Sequence, residues 1–264
     1  MPVYEQVPDL EQVPDTCIIL NRCLSLVQVK DMVMHKLLVF DLDDTLAEIG
    51  KGMLPGDVAE FHRLESSGYR IAICSGKPVS YLCGFMRQVG LKDPILIGEN
   101  GAVFQFGVEL PPRVYYQYPC TEMVRRQLRR MREMIDEACG DDVWYQPNDV
   151  ALTPFPKNDA AFDLIQELID THIEELSGLR VYRHSDSFDI VPGNINKFCS
   201  LELLTQSMSI AAGQVIAYGD WTNDIPMFEF ADLSVKIGRR LKYETDYTYD
   251  TIGEALRATG REIS

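Results

Sequence analysis

Positive charge is the first thing in short supply, with 25 Lys and Arg against 40 Asp and Glu and a formal net charge of −15. A field of that sign repels phosphodiester backbones and anionic headgroups, which argues against nucleic acid and membrane surfaces as partners. Histidine is scarcer: His35, His62, His172 and His184 are the whole set, none at metal-ligand spacing. The seven cysteines are odd in number, irregularly spaced and contain no CxxC pair. That argues against a disulfide framework and a cysteine zinc site, and it fits a reducing cytoplasm. No apolar run approaches the roughly 20 residues needed to span a bilayer. Cys17–Leu20 is short and is interrupted by Asn21 and Arg22, which speaks against a signal peptide.

What is present is the composition of an ordinary globular protein, 46% hydrophobic over 264 residues, enough for one large domain or two modest ones. Residues 1–33 stand apart: EQVPD occurs at Glu5–Asp9 and again at Glu11–Asp15, an acidic, proline-bearing leader that should not pack by itself. From Lys36 a β/α alternation sets in. Leu37–Phe40, Tyr69–Cys74, Ile95–Ile97, Val215–Tyr218 and Leu233–Ile237 are short apolar runs suited to strands buried on both faces. Pro55 opens a helix with Val58, Phe61 and Leu64 on one face, and Gly68 closes it. This pattern predicts a doubly wound parallel sheet of α/β class, built from residues 34–104 and 189–264. Between them, residues 105–188 read as an inserted α+β module. Ala102–Phe106, Arg113–Tyr118, Val150–Thr153 and Arg180–Ile190 look like shorter strands, with helices over Thr121–Ala138 and Asp159–Leu176.

The chemistry gathers at strand ends. Asp41-Leu42-Asp43-Asp44-Thr45 follows the first strand, where open α/β sheets carry their sites, although a lone DxD is also a common cap or Asx-turn. Cys74-Ser75-Gly76-Lys77-Pro78 ends the second strand with a turn whose hydroxyl and backbone N–H groups suit an anion. Gly219-Asp220-Trp221-Thr222-Asn223-Asp224 ends another strand, and Lys197 precedes an amphipathic helix. Asp41, Asp43, Asp220 and Asp224 together need a counter-charge, which a hard cation with oxygen ligands such as Mg²⁺ would supply.

These motifs resemble the haloacid dehalogenase superfamily, and most closely its Cof-type phosphatases with a C2B-type cap, over about residues 36–260. The resemblance rests on DLDDT at Asp41, ICSGKP at Ile73, NINK ending at Lys197 and GDWTNDIPMF at Asp220, with Asn100-Gly101-Ala102 leading into the cap. It implies a Rossmann-like core, a cap between the second and third motifs, and a Mg²⁺-dependent phosphatase acting on a small phosphate ester. By the same resemblance Asp41 is the nucleophile and Asp43 the general acid and base. Ser75, Gly76, Lys197 and Asn223 would bind the phosphoryl group, and Asp41, Asp43, Asp220 and Asp224 would serve the metal. A phosphotransferase or phosphomutase would share every motif. Three departures stand out: Asp44 where the Cof group usually has glycine, Lys77 for the usual arginine, and Gly238-Arg239-Arg240 where small residues are usual. In the cap, Arg125, Arg126, Arg129, Arg130 and Arg132 form either a second anion site or a solvated face, and Trp144 and Tyr145 either line the cleft or pack the cap.

Overall fold

A computed structural model describes residues 36–208 and 214–263, so the expected leader at 1–33 lies outside the described residues. Strand β1 (Leu37–Phe40) is fully buried at every position, which only a strand in the middle of a covered sheet can be. It pairs in parallel with β2 (Arg70–Cys74) on one side and β10 (Val215–Gly219) on the other. Outward lie β3 (Ile95–Gly98) beyond β2, and β11 (Leu233–Ile237) and β12 (Tyr247–Tyr249) beyond β10, all parallel. Strands β4 (Val103–Phe106) and β5 (Val114–Gln117) close the β3 edge in antiparallel fashion, giving eight strands in the order β12-β11-β10-β1-β2-β3-β4-β5.

Period-two alternation sends β1 into two separate cores. Leu38 and Phe40 pack with Phe61 and Leu64 of α1 (Pro55–Ser66), Leu82 and Met86 of α2 (Val79–Val89), and Leu256 of the C-terminal helix. Leu37 and Val39 pack on the other face with Leu201 and Leu204 of α5 (Lys197–Met208) and Met227 and Phe228 of α6 (Ile225–Phe230). Helices on both faces of a largely parallel sheet are the doubly wound α/β arrangement the sequence predicts.

A third core belongs to the inserted module. There α3 (Glu122–Cys139), capped by Thr121, and α4 (Asp159–His172), capped by Asn158, share Met131, Ile135, Ile165 and Ile169 with Phe188 and Ile190. Two small hairpins complete it, β6 (Val143–Tyr145) with β7 (Pro154–Pro156), and β8 (Leu179–Arg183) with β9 (Phe188–Pro192).

Several elements differ from the sequence reading. Strand β5 lies in the central sheet, not in the insert, because β4 takes the free β3 edge and β5, alternating buried and exposed, pairs in turn onto β4. Strand β9 pairs with β8 on the module side, although its residues from 189 on were expected in the core. The single strand expected over Arg180–Ile190 is two, broken by the Ser185-Asp186-Ser187 turn that His184 N–H closes onto Ser187 O at 2.9 Å. No strand forms over 150–153 beyond an isolated bridge at Leu152, since the Glu99 carboxylate takes the backbone N–H groups of Asp149, Val150 and Ala151 at 2.8–2.9 Å. Helix α4 ends at His172, earlier than Leu176, and the chain continues in turns.

Candidate active site

The parallel register of β1 and β10 sets Phe40 beside Tyr218, with their rings stacked at 4.3 Å. Asp41 N–H extends that ladder to Tyr218 O at 2.9 Å, so Asp41 leaves β1 next to the point where β10 delivers Gly219 and Asp220. Asp224 folds back over the same strand end, accepting from the backbone N–H groups of Asp220 (2.9 Å) and Trp221 (3.1 Å) through Oδ2. Gly219 is required there, because a Cβ would lie 2.5 Å from that oxygen.

Asp41, Asp220 and Asp224 thus converge, buried, with one carboxylate oxygen of each lying within 4.8 Å of the others. Lys197, at the start of α5 and wholly buried, donates at 2.6 Å to both Asp41 Oδ1 and Asp224 Oδ1. Burial works against its ammonium, yet Asp224 and Asp41 reverse that and hold its pKa above the ordinary lysine value. Burial also raises the Asp41 carboxyl well above the usual range, with Lys197 opposing and Asp224 and Asp220 adding to the rise. Asp220 is pushed up to about 6 by burial and by Asp224, against the Thr45 hydroxyl that donates to its Oδ1 at 3.0 Å.

The remaining expected residues surround this cluster. Asp43 lines the same cavity, its Oδ2 lying 3.4 Å from Lys77 Nζ. Ser75, buried, accepts the Lys77 N–H at 3.2 Å, and Gly76 and Asn223 form part of the wall. The cavity, about 260 Å³, is closed on the other side by the inserted module through Gln146, Phe155 and the β8–β9 turn at His184–Ser187.

Sequence reasoning missed that second wall. Its centre is Asp189, a buried carboxylate that accepts from Asn100 (2.8 Å), Thr153 (2.8 Å) and the His184 ring (3.2 Å). Burial works against the Asp189 carboxylate, but His184, Asn100 and Thr153 hold its pKa below the ordinary value; burial also works against the charged His184 ring, but Asp189 and Asp186 prevail and raise its pKa. Gly76 must be glycine, since a Cβ would stand 2.5 Å from Asp189 Oδ2. An aspartate in the middle of the apolar run Phe188–Pro192 was the available signal. Gln146, which donates to Gly76 O at 3.0 Å, gave none.

The arginines of α3 do not line the cavity. Arg125, Arg126 and Arg129 gather around Glu122, and Arg132 covers the Tyr145 ring at 4.2 Å, as on a solvated face. Trp144 is 53% exposed, and it is Phe155, packed against it at 5.5 Å, that reaches the cavity. Cys74 is a core thiol, pushed up to about 12 by burial.

Known proteins share sequence and fold with this chain. A phosphoglycolate phosphatase of Methanoculleus marisnigri is 28% identical over 77% of this chain and 84% of its own length. A 5-amino-6-(5-phospho-D-ribitylamino)uracil phosphatase of Bacillus subtilis is 22% identical over 76% and 86%. Among solved structures, a haloacid dehalogenase-like hydrolase from Bacteroides thetaiotaomicron superposes with a TM-score of 0.66 at 20% identity, covering 85% of this chain and 99% of that one. A subclass IIB sugar phosphatase gives 0.62 at 18% identity, with 85% and 99% covered. The model of the haloacid dehalogenase-like hydrolases matches residues 38–122 and 142–243, and with the match running through both core segments and much of the insert, the chain belongs to that family.

Proposed function

We propose that the chain is a phosphatase that hydrolyses a small phosphate monoester through an aspartyl-phosphate on Asp41. The observation that carries this reading is the buried Lys197 held between Asp41 and Asp224 at 2.6 Å from each, behind the Asp41 side chain that follows a parallel strand and lines the cavity. Lys197 donates to Asp41 Oδ1, and Oδ2 attacks phosphorus while the bond to the leaving alkoxide breaks. Asp43, oriented by Lys77, gives that alkoxide its proton and then takes one from the water that cleaves the acyl phosphate and frees inorganic phosphate. Ser75, the Gly76 turn, Lys197 and Asn223 neutralise the phosphoryl oxygens.

The donor set fits Mg²⁺: only oxygen ligands are offered, and the Lys197 ammonium offsets only part of the charge of the three carboxylates. Asp41 and Asp220, with the Asp43 main chain, would hold it. Both Asp224 oxygens are engaged, by Lys197 and by two backbone N–H groups, so Asp224 serves by fixing Lys197 and the loop. When bound, the metal offsets the negative charge gathered around the transferring group. The module wall of Gln146, His184, Ser185 and Ser187 suits a hydroxylated ester such as a sugar phosphate, and phosphatases among the relatives support the reaction class.

The test is phosphate release from a panel of phosphorylated metabolites with Mg²⁺. Asp41→Asn should abolish release without loss of fold, and chelation should silence the wild type until Mg²⁺ is restored. Turnover by Asp41→Asn would sink the assignment. Isomer interconversion with little free phosphate would point to a phosphomutase instead.

A further inference from the structure

Asp44 and Arg240, 196 residues apart, meet at the rim of the cavity, where Arg240 Nη2 donates to Asp44 Oδ2 at 2.5 Å and to Asp220 Oδ2 at 3.2 Å. Asp44 adopts a φ of 60°, a left-handed conformation that favours glycine, so its side chain is kept against a backbone cost. Its carboxylate anchors Arg240, whose guanidinium also lies 5.7 Å from the centre of the Trp221 ring.

Charge explains what the anchored arginine is for. Lys197 serves Asp41 and Asp224, and Asp220 lies outside that pairing. Among the described residues, Arg240 is the one cation within ion-pair reach of Asp220. Its side chain is 60% exposed and so can swing, whereas Lys197 is locked in the interior. A guanidinium and a divalent cation would compete for the same Asp220 oxygen, and once the metal is in place the two positive charges repel.

We propose that Arg240 is a positioning residue that holds Asp220 in the metal-free enzyme and yields it to the divalent cation, while Asp44 keeps Arg240 anchored beside the site. The inference rests on the metal site proposed above. A contact made only in the metal-free form opposes metal binding by the free energy of that contact. Arg240 therefore holds the acidic site together before the ion binds and lowers its affinity for the ion.

Calorimetric titration of Mg²⁺ into the metal-free protein tests this without recourse to turnover. Arg240→Ala should lower the Mg²⁺ dissociation constant about threefold, the scale of a partly exposed ion pair. Asp44→Gly should lower it too, because Arg240 without its anchor holds Asp220 less firmly. In the double variant the Asp44→Gly effect should vanish, since Asp44 acts through Arg240. In a Trp144→Phe background, Mg²⁺ should shift the emission of Trp221 only while Arg240 is present. Unchanged or weaker Mg²⁺ binding by Arg240→Ala, in a wild type that does bind Mg²⁺, overturns the inference and leaves the metal site standing. A raised KM with unaltered Mg²⁺ affinity also overturns it, making Arg240 a substrate contact. If the wild type takes up no Mg²⁺, the metal site itself falls and the inference with it.

Discussion

A buried charge is most informative when it is removed. Lys197→Ala would leave Asp41 and Asp224 facing each other in the interior without their shared cation. Breaking such a pair by deleting one partner costs about 3–5 kcal/mol, and urea unfolding of the metal-free variant should show a loss of that size. A loss under about 1 kcal/mol would mean the carboxylates find another partner. His184 and Asp189 predict a pH dependence. The His184 pKa is raised in the fold, so its contribution is complete below about 6.5, the unfolded value, and fades as pH climbs through the folded value. The Asp189 pKa is lowered, so its contribution is complete above about 4 and fades only in acid. The stability difference between wild type and His184→Gln should therefore be greatest near pH 5–6 and shrink toward pH 8–9. A flat difference would refute the ion pair. At this scale the sequence disclosed the groups that gather at the site, since Asp41, Ser75, Lys197 and Asp220 sit at strand or helix ends where pattern alone places them. It concealed Asp189, Gln146 and Arg240, whose roles depend on contacts between segments far apart in the chain.

Between elements, the most telling joint is the one Glu99 makes. This buried carboxylate, in a turn with φ of 55°, collects three backbone N–H groups from the 149–151 segment of the inserted module. Bonds from N–H groups to an ionised acceptor are roughly twice as strong as neutral ones, so the segment is fastened to the core sheet. Glu99→Gln replaces one accepting oxygen with an NH₂ donor facing backbone donors, and hydrogen exchange at residues 149–151 should accelerate about tenfold or more. Unaltered protection there would show that packing, not Glu99, fixes the joint. The same joint explains why 150–153 reads as a strand in sequence but is not one, since its donors are drawn away from any ladder. Long-period elements were the legible part: β1, β2, α3 and α4 follow directly from apolar spacing. Edge pairing was not, because β5 carries an alternating pattern that an insert or a core sheet could use equally well.

For the molecule as a whole, a charge of −15 opposes the approach of an anionic ester to a site whose cations are few. Salt shortens the reach of that field to about 8–10 Å at 0.10–0.15 M. With Mg²⁺ saturating, kcat/KM should accordingly rise as ionic strength is increased from very low values, while kcat stays level. A fall would mean that the local positive site already governs the encounter. Burial of β1 between β2 and β10 has a consequence of another kind. Its early neighbour starts 33 positions downstream and its late one at residue 215, so a chain emerging from the ribosome exposes one full edge of its most apolar strand until most of the protein has been made. Asp220 lies beyond that point, so its cluster with Asp41 cannot assemble until about the last fifth of the polypeptide has docked, and the proposed hydrolysis would begin only then.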